Sequence, residues 1–462
     1  MSSMVSPVPT APSASHGPPT SSGTSGPGPR PRPSWLRSFS QFDRRIYLMG
    51  VGAFVRSSGR SASWLFLPLL LYLGYGLPYD EIGLLTAVIV PVAIAANWLG
   101  GAAADRWGRR WLSTAPPFVA AATFSLLYLY WHVSLGLLMG LWALNSLMMN
   151  LQTPAQNAVI GDVTRADLAV QGFSFQRVLS NAGFALSPAL GGLLAASHGL
   201  PIVFAMAATG SALEGLLLLA FLRESRPRSS SEDPVDDAGT GRRLLETRPW
   251  RGGLVEPFRD RSLVLFGAVG FGLTLATQQF GTALSLYLRT SQSLPFDQIG
   301  AIYSLNGILV VLLQLPISLL MRKRPLSWLA VGSLLYGAAF VIFDASAGFL
   351  FDLGAMTVLT IGEDVTSPLQ NSVVSGLGGS KRRGGYFGAF NVFTQASRVV
   401  APPMGTLLLA VSATALWGTS ASIAVLAAAG YLLLQRARGE RFEPPMAKEA
   451  GPGVGLATAK PG

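Results

Sequence analysis

Seven charged side chains interrupt long apolar stretches of this sequence, and these residues could do chemistry: Arg56, Arg60, Arg177, Glu214, Glu363, Asp364 and Arg398. In a membrane-spanning helix each charge costs about 2.5–3.5 kcal/mol near the centre, or on the order of 20 kcal/mol for the whole set. We therefore expect these groups to face one another or a water-filled cavity. Groups so placed could bind protons or a charged ligand.

The three acids are candidates for binding and releasing a proton. Withdrawal from water favours the neutral form of a carboxyl group, which suits a proton carrier. Glu363 is the preferred carrier, and Asp364 and Glu214 are further candidates. Because adjacent residues point about 100° apart on a helix, at most one of Glu363 and Asp364 is expected to face a cavity centre. Static salt bridges between helices are the alternative interpretation.

Polar residues at similar depth are candidates for contacting a small-molecule substrate. They are three of the arginines and two amides: Arg56, Arg60, Arg398, Asn306 and Gln278. Arg56 and Arg60 are four residues apart and so share a helix face. The amides could equally form hydrogen bonds between helices.

Composition excludes several function classes. Only 12% of the residues are charged, against roughly 25% in soluble domains. There is no cysteine and the three histidines are scattered, so we predict no metal site, no cofactor and no enzyme activity. A net charge of +11 would suggest nucleic acid in a soluble protein, but its distribution along the chain points to a membrane instead.

Apolar periodicity predicts twelve transmembrane helices, each long enough for a hydrocarbon core of about 30 Å. They fall roughly at 46–75, 82–103, 112–131, 136–159, 169–196, 201–222, 261–288, 298–321, 326–346, 349–374, 385–411 and 415–436. Nearly all Lys and Arg residues lie in the tails and alternate loops, whereas the remaining loops hold only Arg289. This asymmetry is typical of the positive-inside rule. It predicts a multi-pass cell-membrane protein with both termini cytoplasmic, contacting lipid and no nucleic acid.

Polar segments divide the chain into five regions. Residues 1–45 and 437–462 are predicted to be cytoplasmic tails, the first of them disordered, and 223–260 to be a cytoplasmic linker. The linker separates two six-helix bundles, 46–222 and 261–436.

The two halves repeat. LPYDEIG, PAQN and a Pro-x-x-Gly pair recur as LPFDQIG, PLQN and the same pair, at 77–83 and 294–300, 154–157 and 368–371, and 188–191 and 402–405. Parallel repeats of six helices, related by an axis along the membrane normal, occur in secondary transporters with a midplane substrate site. We therefore predict secondary transport by two pseudo-symmetric bundles.

Residues 101–110, GAAADRWGRR, lie where the second predicted helix meets the third. This string resembles the GxLaDrxGrk loop of the major facilitator superfamily. The resemblance implies a conformational latch formed by Gly101, Asp105, Arg106, Gly108 and Arg109. Asp105 and Arg109 are the matching members of a charge network that helps lock an outward-facing state. Asp162 is the expected partner of Arg109. An ordinary basic loop is the alternative, and the second half retains only the string RKR at 322–324, without the acid.

The fifth predicted helix carries Arg177, followed by Gly183, Pro188, Gly191 and Gly192. Its glycines and proline resemble the gxxxGPxxGG motif of the drug:proton antiporter branch of that superfamily. Ser187 stands where glycine is usual, and the arginine expected in the fourth helix is absent between 142 and 150. The alternative is a helix that merely packs closely, since small residues let helices approach.

These observations predict a monomeric secondary active transporter for proton-coupled efflux of small amphipathic or drug-like molecules by alternating access. Transport of an anionic metabolite is one alternative, because four arginines but only three acids lie within the predicted helices. A membrane sensor that kept the fold without transporting is the other.

Overall fold

The computed structural model describes residues 42–164, 168–224, 256–321 and 324–442. Most of the predicted tails and linker lies outside these ranges, as do residues 322 and 323. The α-helices are α1 Arg44–Tyr75, α2 Tyr79–Trp107, α3 Arg109–Tyr130, α4 Leu135–Val163, α5 Ala169–His198, α6 Ile202–Phe221, α7 Arg261–Thr277, α8 Thr282–Thr290, α9 Phe296–Leu320, α10 Pro325–Asp344, α11 Phe349–Val411 and α12 Ala413–Arg438. Short 3-10 segments cover Glu256–Arg259, Gln278–Phe280 and Gly439–Phe442.

The all-helical membrane class is confirmed. Eight segments of the described chain are long and apolar enough to cross a membrane, namely Tyr79–Gly101, Arg109–Tyr130, Gln171–His198, Ile202–Phe221, Arg261–Phe280, Phe296–Ser318, Pro325–Asp344 and Ala413–Arg438. Helices α1 and α11 carry most of the polar residues predicted to lie in the membrane. With α7 and α8 taken as one pass and α11 as two, the described helices make twelve passes.

One departure from the predicted helix boundaries is an interruption within a helix. The seventh pass is broken by the 3-10 segment between α7 and α8. The predicted tenth and eleventh helices follow each other directly as the two halves of α11, which a kink at Gly379 separates, with φ 55° and ψ −168°. Only glycine adopts this conformation readily. We call residues 349–378 and 380–411 the first and second arms of α11.

The helix ends follow local sequence signals. The side chains of Asp43, Ser134, Asp260 and Ser412 each accept a hydrogen bond from a backbone N–H in the first turn that follows. Such caps satisfy donors that the helix itself leaves free. Gly76 ends α1 in the left-handed conformation. Tight ends of this kind hold consecutive passes antiparallel.

Small residues set the packing inside each bundle. In the first bundle a Cβ atom at Gly59 of α1 would lie 2.7 Å from the Cα atom of Gly210 of α6. In the second bundle a Cβ atom at Gly332 of α10 would lie 3.2 Å from the carbonyl oxygen of Gly362 of α11. Backbones approach this closely only where side chains are small.

The two bundles touch mainly along two helix pairs, α5 with α9 and α2 with the second arm of α11, and α1 makes a smaller contact with α8. A Cβ atom at Gly83 would lie 2.7 Å from the Cα atom of Pro403, and the backbone N–H of Ala189 donates to the Ser304 hydroxyl at 2.8 Å. We call the side where residues 76–78 join α1 to α2 the turn side, and the side where Gly108 joins α2 to α3 the loop side. Gly83 and Pro403 close the gap between bundles at the turn side.

Candidate functional site

A cavity of about 1350 Å³ lies between the bundles, lined by residues from the middle turns of the helices. We call it the large cavity. Its walls come mainly from α1, α2, α4 and the second arm of α11. On α2 the lining residues recur at helical spacing and define one face: Thr86, Ile89, Val90, Ala93, Ile94, Asn97 and Trp98. Arg56, Arg60, Arg398 and Gln278 also line it.

Arg56 belongs to a buried ion-pair network of the first bundle. Its Nη1 atom lies 2.8 Å from Oε1 of Glu214 and 2.6 Å from Oε1 of Gln156. The side-chain amides of Gln152 and Gln156 donate to the same Glu214 oxygen at 2.9 and 3.0 Å. Glu214 is fully buried and does not line the large cavity. Its position therefore suits a static partner of Arg56 better than a proton carrier.

Arg60 lies beside this network and is only 4% exposed. Its Nη2 atom donates to Oδ1 of Asn145 at 3.0 Å, and its guanidinium carbon lies 5.7 Å from the centre of the Phe124 ring. Its Nε and Nη1 atoms have no hydrogen-bond partner among the described residues. The cation is thus partly satisfied and retains free donors.

The amide side chains of α4 are site residues that the sequence interpretation missed. Asn145, Gln152 and Gln156 all hydrogen-bond to the buried charges of α1 and α6. The sequence holds a signal for them, because spacings of seven and four residues place amides on one helix face. Asn145 lies within residues 142–150, where the resemblance led us to expect an arginine in the fourth helix.

A smaller cavity of about 260 Å³ lies between α5, α9 and the first arm of α11. We call it the acidic cavity, since Glu363 and Asp364 line it together with Arg177. Oε2 of Glu363 accepts from Nδ2 of Asn306 at 2.9 Å, and the same nitrogen lies 3.0 Å from the Thr360 hydroxyl.

Asp364 is 1% exposed, and neither carboxylate oxygen has a hydrogen-bond partner among the described residues. Both acids line the acidic cavity, where Glu363, Asp364 and Ser367 together span an arc of about 100° on the helix. That at most one of the two acids faces the cavity centre stays a prediction.

The two cavities share a wall made by Trp64 of α1 and Phe184 of α5, which line both. The large cavity carries arginines and the acidic cavity carries the carboxyl groups. Groups of opposite charge therefore lie in adjacent compartments between two bundles, an arrangement that can bind a proton and a ligand near each other.

Helix α5 packs against both bundles through its glycines. A Cβ atom at Gly183 would lie 2.9 Å from Cβ of Ser57 in α1, whereas one at Gly192 would lie 3.2 Å from Cα of Asp297 in α9. Gly191 faces Ala62 of α1. The motif glycines thus allow α5 to pack closely against α1 of its own bundle and α9 of the other, and we call this packing the wedge role of α5.

Pro188 and Ser187 take part in the same packing. A Cβ atom at Gly300 of α9 would lie 3.0 Å from the carbonyl carbon of Pro188. The Ser187 hydroxyl accepts from the backbone N–H of Ala62 at 3.0 Å. Serine at the position where the motif has glycine therefore adds a polar contact between α5 and α1.

The turn between α2 and α3 places Arg109 in an ion pair with Asp162 at the end of α4. Gly108 has φ 95°, which favours glycine. Glu224, which follows α6, accepts from the backbone N–H groups of Arg109 and Arg110 at 3.2 Å each. The sequence interpretation did not include Glu224, although an acid near a helix N-terminus is a recognised signal.

For the other members of the predicted latch, the structure describes few contacts. Arg106 is exposed, and a Cβ atom at Gly101 would meet nothing within 4 Å. The side chain of Asp105 lies outside the described part of the structure.

Gln278 lies in the 3-10 segment that interrupts the seventh pass and lines the large cavity. Its neighbour Gln279 donates to the carbonyl oxygen of Ala401 in α11 at 3.2 Å. The 3-10 segment therefore places Gln278 at the large cavity, and Gln279 joins the segment to α11 by a hydrogen bond.

Comparison with known proteins identifies the family. A model of the Major Facilitator Superfamily matches residues 49–402 and again 281–457. The Na(+), Li(+), K(+)/H(+) antiporter of Planococcus maritimus is 26% identical over 387 residues, covering 78% of this chain and 88% of that protein. The quinolone resistance protein NorA of Staphylococcus aureus is 24% identical over 332 residues, covering 71% and 80%.

Solved structures share the fold. A POT family transporter, in complex with a thioalcohol-conjugated peptide, superimposes with a TM-score of 0.68 at 15% identity, covering 87% of this chain and 99% of that one. A bacterial homologue of the human lysosomal transporter Spinster gives 0.66 at 13% identity, covering 88% and 99%. At these identities the likeness establishes the architecture alone.

Proposed function

The chain belongs to the major facilitator superfamily, and we propose that this multi-pass membrane transporter exports small amphipathic molecules in exchange for protons by alternating access. The observation that carries the proposal is the position of Glu363 and Asp364, which line a cavity between the bundles next to the large cavity. The names of the two relatives, one an antiporter that uses protons and one a drug-resistance protein, support the same mechanism.

The proposed cycle begins from the arrangement in this structure. The distribution of Lys and Arg favours cytoplasm on the loop side of a cell membrane, with both termini cytoplasmic. The large cavity then accepts substrate from the cytoplasm while α5–α9 and α2–α11 contacts keep the turn side closed. Separation of these contacts, with closure of the loop side, would release substrate outside.

Glu363 is the proposed proton carrier. It is partly exposed to the acidic cavity, where Asn306 donates to its carboxylate. When the turn side opens, protons would reach Glu363 from outside, and opening of the loop side would release them inside. The ion pair between Arg109 and Asp162 lies within the first bundle and would position Arg109 for the latch that favours the outward-facing state. A monomer suffices for this cycle, because both bundles belong to one chain.

Exchange of a monovalent cation for protons is a second candidate function. The observation that favours it is Asp364, whose buried carboxylate oxygens have no hydrogen-bond partner among the described residues. Beside Glu363 and the Ser367 hydroxyl, these oxygens are hard ligands of the kind that alkali cations prefer.

Transport in proteoliposomes tests the proposed function. With an imposed pH gradient, the wild type should accumulate a fluorescent amphipathic dye, and an uncoupler should abolish the accumulation. Glu363→Gln should remove the gradient dependence, whereas the surface variant Glu256→Gln should behave like wild type. Proton movement that requires added Na⁺ or K⁺ but no dye would favour cation exchange. Absence of any transport would support a sensor and contradict both.

A further inference from the structure

The charged side chains that line the large cavity are all arginines. Arg56 and Arg60 come from α1 of the first bundle, and Arg398 comes from the second arm of α11 in the second bundle. No Asp or Glu lines this cavity among the described residues. A cavity with this lining attracts anions and repels cations.

Neighbouring acids compensate only part of this positive charge. Glu214 pairs with Arg56 from behind the cavity wall, at 2.8 Å. Arg60 keeps Nε and Nη1 without hydrogen-bond partners, and no ion pair or hydrogen bond joins Arg398 to another described residue. Arg60 and Arg398 are therefore the two cations with donors left for a ligand, one from each bundle.

A ligand anion would offset the free-energy cost of removing these two guanidinium groups partly from water. A guanidinium group offers a planar fork of N–H donors that matches a carboxylate with two parallel hydrogen bonds. On Arg60 each such edge combines Nη2, which already donates to Asn145, with Nε or Nη1, neither of which has a hydrogen-bond partner among the described residues. The remaining cavity wall supplies amides for further hydrogen bonds, from Asn97, Asn150, Asn391, Gln395 and Gln278.

The same cavity is suited to an aromatic or aliphatic body. Trp64, Trp98, Phe124, Trp142 and Phe184 line it together with aliphatic residues of α1 and α2. Aromatic side chains provide large contact areas for flat apolar ligands. Basic and aromatic groups thus share one compartment, whereas the carboxyl groups lie in the acidic cavity beyond Trp64 and Phe184.

We propose that the large cavity selects amphipathic molecules that carry a carboxylate, with Arg398 and Arg60 binding the anionic end and the tryptophans contacting the apolar body. This inference rests on the proposed function in that it names the substrate class of the exporter. A carboxylate held by both arginines would also join the two bundles, so substrate itself would favour closure of the loop side.

Binding of three matched ligands tests the proposal without any proton gradient. The probes are 2-naphthoate, 2-naphthylmethylammonium and 2-naphthalenemethanol, which share one ring system and differ in charge. Calorimetry on the full chain in lipid nanodiscs should give at least tenfold tighter binding of the naphthoate than of the other two. Equal or tighter binding of the ammonium or alcohol probe overturns the proposal, as does no measurable binding of any probe at millimolar concentration.

Arginine variants identify the residues responsible. Arg398→Gln should weaken naphthoate binding roughly tenfold to a hundredfold, as expected for loss of a charge-assisted hydrogen bond, and leave binding of the alcohol unchanged. Arg398→Lys should retain the charge preference with reduced affinity. Arg436→Gln, at the exposed end of α12, is the matched control. Arg60→Gln should act like Arg398→Gln; if it fails to fold, the exposed Arg398 still decides the test.

Failure of this inference is distinguishable from failure of the proposed function. Proton-coupled transport of a cationic or neutral dye without naphthoate preference would overturn the carboxylate selectivity alone. Naphthoate preference that depends on Arg398, without any proton-coupled transport, would overturn the coupling alone.

Discussion

Buried charges in this protein differ in how completely their neighbours satisfy them. Arg56 and Glu214 form a network with Gln152 and Gln156 inside one bundle. Asp364, in contrast, has no hydrogen-bond partner among the described residues and lies between the bundles. An acid paired with a cation holds helices in place, even though Oε2 of Glu214 has no hydrogen-bond partner among the described residues. An acid with no partner for either oxygen, between moving parts, can change its partner or its protonation. This difference separates the structural acid Glu214 from the acids that we assign to coupling.

Replacement of Glu214 tests this separation. Glu214→Ala should lower the free energy of unfolding by about 3 kcal/mol, because it leaves the Arg56 cation buried without its counterion. Thermal unfolding in nanodiscs measures the loss. The pH dependence of transport should stay as in the wild type at temperatures where the variant is folded.

The control for this prediction is Glu256→Gln, which removes a partly exposed pair with Arg382 and should change stability by no more than about 1 kcal/mol. A stable Glu214→Ala protein with an altered pH profile of transport would restore Glu214 as a coupling residue.

The sequence identified the buried charges but not all of their partners. Apolar flanks made Arg56, Arg60 and Glu363 conspicuous, since a charge in such a segment is costly. The amides of α4 lacked this signal because uncharged polar residues are common between helices. Which acid pairs with which arginine depends on contacts between helices far apart in sequence, as for Arg56 and Glu214.

At the scale of elements, α5 contacts α1 through Gly183 and Gly191, and α9 through Gly192. Glycines on two faces allow one helix to lie against both bundles. Because its contacts with α9 belong to the closed turn side, movement there requires α5 and α9 to separate. The motif therefore has a physical role in both packing and opening.

A side chain at Gly192 should prevent this closure. Gly192→Val would place atoms against the backbone of Phe296 and Asp297, so the protein should shift towards conformations open at the turn side. Ser304 of α9 is 4% exposed and accepts from Ala189 of α5 in the closed arrangement. A cysteine at position 304 should therefore react with a membrane-impermeant maleimide several-fold faster in the valine variant.

The sequence favours this measurement because it contains no natural cysteine. Gly136→Val is the matched control, since a Cβ atom there meets nothing within 4 Å. Unchanged reactivity at position 304 in folded Gly192→Val protein would contradict the wedge role of α5.

Helix interruptions were harder to predict than helices. Hydropathy located the passes but could not show that a single kink at Gly379 would join the tenth to the eleventh, because a polar, glycine-rich stretch is also typical of a loop. The 3-10 segment at Gln278–Phe280 does not interrupt the apolar sequence pattern of the seventh pass, so this pattern gave no sign of it. Both interruptions depend on backbone conformation, which composition reports only indirectly.

At the scale of the whole transporter, the repeated strings predicted two related halves with a polar region between them. The family match and the twelve passes of the described chain agree with that architecture. The sequence could not show that the turn side is closed, nor that Arg56, Arg60 and Arg398 line a different cavity from Glu363 and Asp364. These features arise where the two bundles meet, and no local pattern describes that interface.

Distances between the two bundles, measured on the loop side and on the turn side, test alternating access most directly. Spin labels on cysteines replacing Trp107 and Leu320 would report the loop side, and labels replacing Val133 and Leu350 the turn side; all four residues are more than half exposed. Pulsed dipolar spectroscopy in nanodiscs would follow both distances as the pH changes.

Alternating access predicts that one distance lengthens as the other shortens. In Glu363→Gln, which mimics the protonated carboxyl group, both distances should remain at their low-pH values at every pH. Alternating access is contradicted if the two distances stay fixed or change in the same direction. Its coupling to protons through these acids is contradicted if the distances still change in opposite directions with pH after Glu363 and Asp364 are both neutralised.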